Sequence, residues 1–268
     1  MKKTVAAVVG GAFLLSPLQG STCEIPLEGE MVQGGLVIGR VVAGTPVYIA
    51  EKKIRVSPDG LFIIGFGRNA SPKVILKAGE ELCILAVNTR IYKTTRIDGL
   101  PKRMVVPTDP ADLKRIQEDN AAIRRVRRLD TDSSDFAVGF EWPLKGRISG
   151  VFGSQRVLNG VPRRPHNGID IAAPSGTLVR APAPGRIVLV HQDMFYSGKT
   201  VMIDHGHGLT SVYIHLSVIK VTEGQRVQSG HEIGRVGMTG RATGPHLHWG
   251  VSWFQTHVDP ALLVKDMN

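Results

Sequence analysis

The sequence predicts a mainly β protein: a small β-sandwich-like domain, a linking helix, then an antiparallel β-sheet domain. Three observations support this. Glycine occurs 31 times in 268 residues, which supplies tight turns along the whole chain. Short Val and Ile runs alternate with polar residues at the strand period. Helical spacing is sustained over only one internal stretch, the one that follows Asp109.

The chain opens with Lys2 and Lys3, an apolar run over residues 5–15, and Ser16-Pro17-Leu18-Gln19-Gly20-Ser21-Thr22. Charge, apolar run and small residues in that order predict a cleaved export signal over residues 1–22. The run is shorter than the ~20 residues of a membrane span. Cys23 and Cys83 are the only cysteines. In an oxidising compartment they can form one disulfide that ties the N-terminus to the first domain; two free thiols or a lipidated Cys23 are the alternatives. Gly20-Ser21-Thr22 is a poor lipidation box, because no aliphatic residue stands three positions before Cys23.

Lys and Arg number 33 against 23 Asp and Glu, giving a net charge of +10, of which the signal carries Lys2 and Lys3. A basic exported protein suits an anionic partner such as cell wall, acidic polysaccharide or a membrane surface. No nucleic-acid partner is expected in that compartment.

Residues 23–106 are predicted to form the N-terminal β domain. Val47 and Ile49, then Ile54 and Val56, alternate with polar neighbours. Turn signals recur at Gly34-Gly35, Ala43-Gly44-Thr45-Pro46, Ser57-Pro58-Asp59-Gly60 and Asn69-Ala70-Ser71-Pro72, a spacing that suits a sandwich. Gly65-Phe66-Gly67 lacks the third glycine and following helix of a nucleotide loop. Residues 107–139 are read as helix and linker. Asp109 can cap the helix and Pro110 suits its first turn. Leu113, Ile116, Ile123 and Val126 keep its period, and Arg124, Arg125, Arg127 and Arg128 read as a solvated end that complements the helix dipole. Residues 140–268 return to β alternation, at Val188/Val190, Val201/Ile203 and Val212/Ile214/Leu216.

All nine histidines fall in this last part. In Gly244-Pro245-His246-Leu247-His248-Trp249-Gly250, alternate residues on a strand place His246 and His248 on one face, ~6.6 Å apart. His166 and Asp170 share parity, at ~13 Å on a straight strand, and Gly168 between them permits a bend. Two His and one Asp make the nitrogen and oxygen ligand set of a catalytic zinc with one open position. In Tyr213-Ile214-His215-Leu216, Val212, Ile214 and Leu216 are expected to take the core face, and Tyr213 and His215 the other. His205 and His207 read as a glycine-rich turn. His191, His231 and His257 read as surface or turn residues. His231-Glu232-Ile233-Gly234-Arg235 does not complete the helical zinc-protease motif.

The segments His166-x-x-x-Asp170, Tyr213-Ile214-His215-Leu216-Ser217 and His246-Leu247-His248 follow one another in the order and spacing of the M23 family, the lysostaphin and LytM type of metallopeptidases. Phe152-Gly153-Ser154-Gln155-Arg156, Ala181-Pro182-Ala183-Pro184-Gly185 and Gly237-Met238-Thr239-Gly240 extend the resemblance. It covers about residues 140–260. The region before it resembles, more weakly, the β-rich domain that precedes the peptidase in some Gram-negative members. The resemblance implies a LytM-type peptidase fold, Zn2+ held by His166, Asp170 and His248, and His215 and His246 as catalytic residues. It also implies peptidoglycan peptide stems as substrate, with a D-Ala to diaminopimelate bond the target in a Gram-negative wall, in the periplasm or cell envelope. A regulatory or inhibitory envelope protein is a further expected partner.

Zinc makes water acidic enough to ionise near neutral pH. His246 or His215 would take its proton, and either would stabilise the oxyanion or protonate the leaving amine; the sequence does not divide these roles. The rival readings are a non-catalytic wall-binding protein or amidase activator, and a zinc enzyme acting on another peptide. A groove covered by the N-terminal domain or by residues 159–165 would silence the enzyme.

Overall fold

The computed structural model describes residues 23–267; the signal expected over residues 1–22 lies outside them. The N-terminal part holds β1 (Leu27–Gly29), β2 (Leu36–Arg40), β3 (Val47–Ile49), β4 (Lys52–Ile54), β5 (Leu61–Gly65), β6 (Lys73–Ala78) and β7 (Glu81–Ala86). One sheet has the order β1-β2-β5 and the other β4-β3-β6-β7, both antiparallel. Leu76, Cys83 and Leu85 from one sheet and Val37, Phe62 and Ile64 from the other share one core. Cys23 and Cys83 are joined as a disulfide. Among the described residues no helix is long and apolar enough to cross a membrane.

Strand β5 is buried along Leu61, Phe62, Ile63 and Ile64, so both its faces are covered. One face meets the sandwich core. On the other, a methyl group at Gly65 would come within 2.8 Å of the Trp253 Cβ, so the absence of a side chain lets the two halves close together. A single apolar core therefore runs through both halves.

Strand β8 (Thr94–Ile97) leaves the sandwich and pairs in parallel with β10 (Gln155–Leu158), which in turn pairs with β11 (Val161–Pro162). Hydrogen bonding thus crosses the boundary expected at residue 106. A one-turn helix, α1 (Lys102–Val105), also lies where only strands are expected. Pro101 presets its start, and Val106 before Pro107 disfavours continuation.

Helix α2 (Pro110–Val126) forms where the sequence places it. The Asp109 carboxylate accepts from the amides of Ala111 at 2.7 Å and Asp112 at 3.3 Å. Val126, Ala122 and Ile123 pack on Leu189, Met194, Met202 and Val212, whereas Leu113 is 48 % exposed. The arginine run is not uniformly solvated. Arg127 turns inward beside His257, Nη1 to Nε2 3.4 Å, and burial pulls its pKa down to about 10. The linker is also tightly held. Thr131 Oγ1 donates to Asp204 at 2.6 Å, and Phe136 is buried against the His207 ring.

The C-terminal part adds β9 (Arg147–Gly150), β12 (Ile169–Ala172), β13 (Leu178–Arg180), β14 (Gly185–Met194), β15 (Gly198–Gly206), β16 (Leu209–Ile219), β17 (Arg226–Val227), β18 (Glu232–Val236), β19 (His246–Trp253) and β20 (Thr256–Val258). They form an antiparallel sheet of order β17-β14-β15-β16-β19-β12-β9, with β13, β18 and β20 joined to its side. Ile169, Ile171, Tyr213, Leu247, Trp249 and Val251 supply its core face. The opposite face carries Asp170, His246 and His248 and forms the floor of a cleft.

Candidate metal centre and active site

Register puts two of the candidate ligands together. Asp170 lies opposite His248, and Ala172 opposite His246; cross-strand partners share a face. His166 is not on this strand, as its parity suggests, but in the loop ahead of it. Its amide donates to the Ser154 carbonyl at 2.9 Å, and its own carbonyl accepts from the Gly153 amide at 2.8 Å. The bend at Gly168 closes the straight-strand distance, leaving His166 Nε2 3.0 Å from Asp170 Oδ1.

His248 Nδ1 stands 2.8 Å from the same Oδ1 and 2.9 Å from His166 Nε2. Three donor atoms therefore converge. The His166 Nδ1–H donates to the Val151 carbonyl at 3.0 Å, which fixes the tautomer and leaves Nε2 bare toward the other donors. A tetrahedral ion with bonds of about 2.0–2.1 Å holds its donors about 3.3 Å apart, so an outward shift of a few tenths of an ångström seats it. The donor set fits a metal.

The Asp170 carboxylate is also held from behind, Oδ2 accepting from Arg156 Nη2 at 2.6 Å. Burial alone would raise its pKa; the His166 and His248 rings, with nitrogens 3.0 and 2.8 Å from Oδ1, outweigh this and hold it far below the usual carboxylate range. Two glycines shape the pocket. A Cβ at Gly150 would lie 2.4 Å from Asp170 Oδ2. One at Gly168 would meet the Trp249 carbonyl at 2.3 Å and His248 Nε2 at 2.9 Å. Backbone on one side and a ligand ring on the other leave nowhere to yield. Gly168→Ala is expected to weaken metal binding by roughly 10–100-fold, the range seen when ligand supports are disturbed. Competition against a chelator of known affinity measures it, and unchanged affinity would show that the loop relaxes freely.

His215 reaches the site by a route the alternation pattern hides. Ile214 pairs with His248 and Tyr213 with Trp249, so Tyr213 faces the main core, against the sequence expectation, while Val212 and Ile214 take the other face, in the smaller core beneath α2. At His215 φ is +64°, a left-handed conformation few side chains adopt. Here β16 bulges against β15 and changes partner from β19 to β18. Leu216 returns to the main core, and His215 joins the site despite its odd parity.

Both remaining histidines are oriented alike. The His215 Nδ1–H donates to the Thr239 carbonyl at 2.8 Å, and the His246 Nδ1–H to the Gly244 carbonyl at 2.8 Å. In the neutral ring this tautomer leaves each Nε2 as the acceptor. The two ring centres are 4.7 Å apart, and His246 Nε2 is 3.9 Å from Asp170 Oδ1. Burial, then the neighbouring His246 and His248 rings, push the His215 pKa down to about 3. Thr239 braces His215: its hydroxyl donates to the Leu216 carbonyl and accepts from the Lys199 amide.

The other histidines stay apart. His205 is buried at the end of β15, bonded to Pro184 O and Ser211 Oγ. His207 is in the expected turn. The three read as surface or turn residues have neighbours: Asp119 and Asp193 for His191, Gln225 for His231, and Arg127 for His257, which sits on β20.

The model of peptidase family M23 matches residues 164–260. A crystal structure described as an M23 peptidase from Pseudomonas aeruginosa superposes with a TM-score of 0.68 at 31% identity, covering 87% of this chain and 95% of that one. The chain belongs to peptidase family M23. Among curated proteins, this M23 chain is similar to the peptidoglycan DD-endopeptidase ShyA of Vibrio cholerae, 46% identical over 39% of this chain and 24% of that protein. It is likewise similar to the DD-carboxypeptidase/endopeptidase Mpg of Neisseria meningitidis, 48% identical over 38% of this chain and 24% of that protein. The match thus spans about a quarter of the length of these relatives.

Proposed function

We propose that this M23 chain is a zinc-dependent endopeptidase that cleaves peptide cross-links of bacterial peptidoglycan, with D-Ala–diaminopimelate bonds as the target, in the periplasm or cell envelope. One observation carries the reading. Three metal donors and two bare imidazole nitrogens converge on one cleft floor, each set by a named backbone or side-chain partner. The DD-endopeptidase names of two relatives support the substrate. Residues 140–268 carry this chemistry, and residues 23–106 together with the 107–139 segment frame it.

His166 Nε2, His248 Nδ1 and Asp170 Oδ1 would hold the zinc. Bound there, zinc polarises a peptide carbonyl and acidifies water at neutral pH. The protein's own part is proton handling and orientation. In their neutral forms His215 and His246, with Nδ1 committed to a carbonyl, can only accept at Nε2. Each can take a proton there and return it to the leaving amine. Arg156 holds the Asp170 carboxylate so that Oδ1 faces the two ligand nitrogens.

The test is direct. Purified protein is incubated with peptidoglycan and zinc beside His248→Ala, and released fragments are identified by mass spectrometry. Cross-link cleavage by the unaltered protein alone is expected. Equal release from both would sink the zinc mechanism. No release from either would favour a wall-binding module.

A further inference from the structure

One cleft, of about 430 Å³, opens from the metal donors toward β9, with Asp170, His215 and His246 in its lining. Four arginines also line it, Arg96, Arg147, Arg156 and Arg241, and Asp170 is its one acidic residue. The arginines are not equivalent. Arg156 is committed to Asp170. Arg241 donates to the Met104 carbonyl and lies over the Tyr196 ring. Arg96 and Arg147 have neither an ion pair nor a side-chain hydrogen bond among the described residues.

Register locates Arg147 relative to the chemistry. Arg147 pairs with Ala172, and Ala172 with His246. All three share the cleft face, and two strand spacings put Arg147 about 10 Å from His246. Ala172 between them is small, so the floor there is clear. Arg96 comes from β8, on the cleft wall. Two unpaired guanidiniums beside a peptide-cleaving centre are poised for planar, two-pronged carboxylate recognition.

We propose that Arg147, assisted by Arg96, binds a free carboxylate on the residue flanking the scissile bond, so that the substrate is an acidic peptide. This rests on the endopeptidase reading of the site. Arg147 is a specificity residue, about two strands from the reacting bond, and acts through KM.

The test uses two matched peptides, one with the flanking carboxylate free and one with it amidated. The unaltered enzyme is expected to favour the acid by about 10–100-fold in kcat/KM, the range of a charged hydrogen bond. In Arg147→Ala the acid-to-amide ratio should fall to near one, chiefly through KM. Arg147→Lys should recover part of the ratio, Arg96→Ala should lower it less, and Arg125→Ala, exposed on α2 outside the cleft, should keep it. Binding of the same labelled peptides to a His215→Asn background, read by fluorescence anisotropy, reports recognition without turnover. Equal binding of acid and amide, or a preference that survives in Arg147→Ala, overturns the proposal. Absence of cleavage alongside Arg147-dependent acid binding would remove the endopeptidase reading while keeping Arg147 as the residue that binds the peptide carboxylate.

Discussion

Asp170→Ala is expected to lower zinc affinity by more than about 100-fold and to abolish cross-link cleavage. Disturbing a ligand's support alone costs about 10–100-fold, and this change removes a proposed ligand itself. It also removes the shared partner of the cluster, since Oδ1 faces both His166 and His248 and Oδ2 faces Arg156. Arg156 would be left without its carboxylate, its side chain only 23% exposed. Breaking a fully buried pair costs about 3–5 kcal/mol. Solvent access at Arg156 reduces this to about 2 kcal/mol. Melting temperatures of both proteins after zinc removal isolate that loss from the metal's own contribution. Metal analysis of the as-purified variant reads the affinity. Stoichiometric zinc in Asp170→Ala would show that another residue completes the site.

His215→Asn and His246→Ala should separate chemistry from metal binding. Each is expected to lower kcat by about 10²–10⁴-fold, the worth of a positioned proton carrier, with zinc content unchanged. Asn is the right probe at His215, because it tolerates the left-handed backbone that an aliphatic residue would strain. The double variant should fall little below the worse single one, as residues acting on one proton do not contribute independently. Loss of zinc from either single variant would move that histidine into the ligand set.

The three proposed metal donors stand out in the sequence because each sits in a short segment with a fixed neighbour pattern; the fold adds the strand register between Asp170 and His248 and the loop that carries His166 to them. The helix start was legible from Asp109 and Pro110. The route of His215 to the site was not. Alternation assumes an unbroken strand, and one left-handed residue reverses it between Ile214 and Leu216. Arg156 stands out in the sequence only as part of a family segment, because its pairing with Asp170 spans 14 residues and depends on how two strands fold over one another. Strand β8 reads as part of the first half, since nothing in Thr94-Thr95-Arg96-Ile97 names its partner.

That pairing of β8 with β10 divides the work of the molecule unevenly along its length. The residues that would hold and use a metal all follow residue 140, yet Thr95, Arg96, Ile97 and Leu100, on one flank of the cleft, precede α2. Changes confined to the stretch before α2 can therefore alter which peptides are admitted while every metal donor stays in place. In such a chain, substrate preference and chemical competence are free to diverge independently.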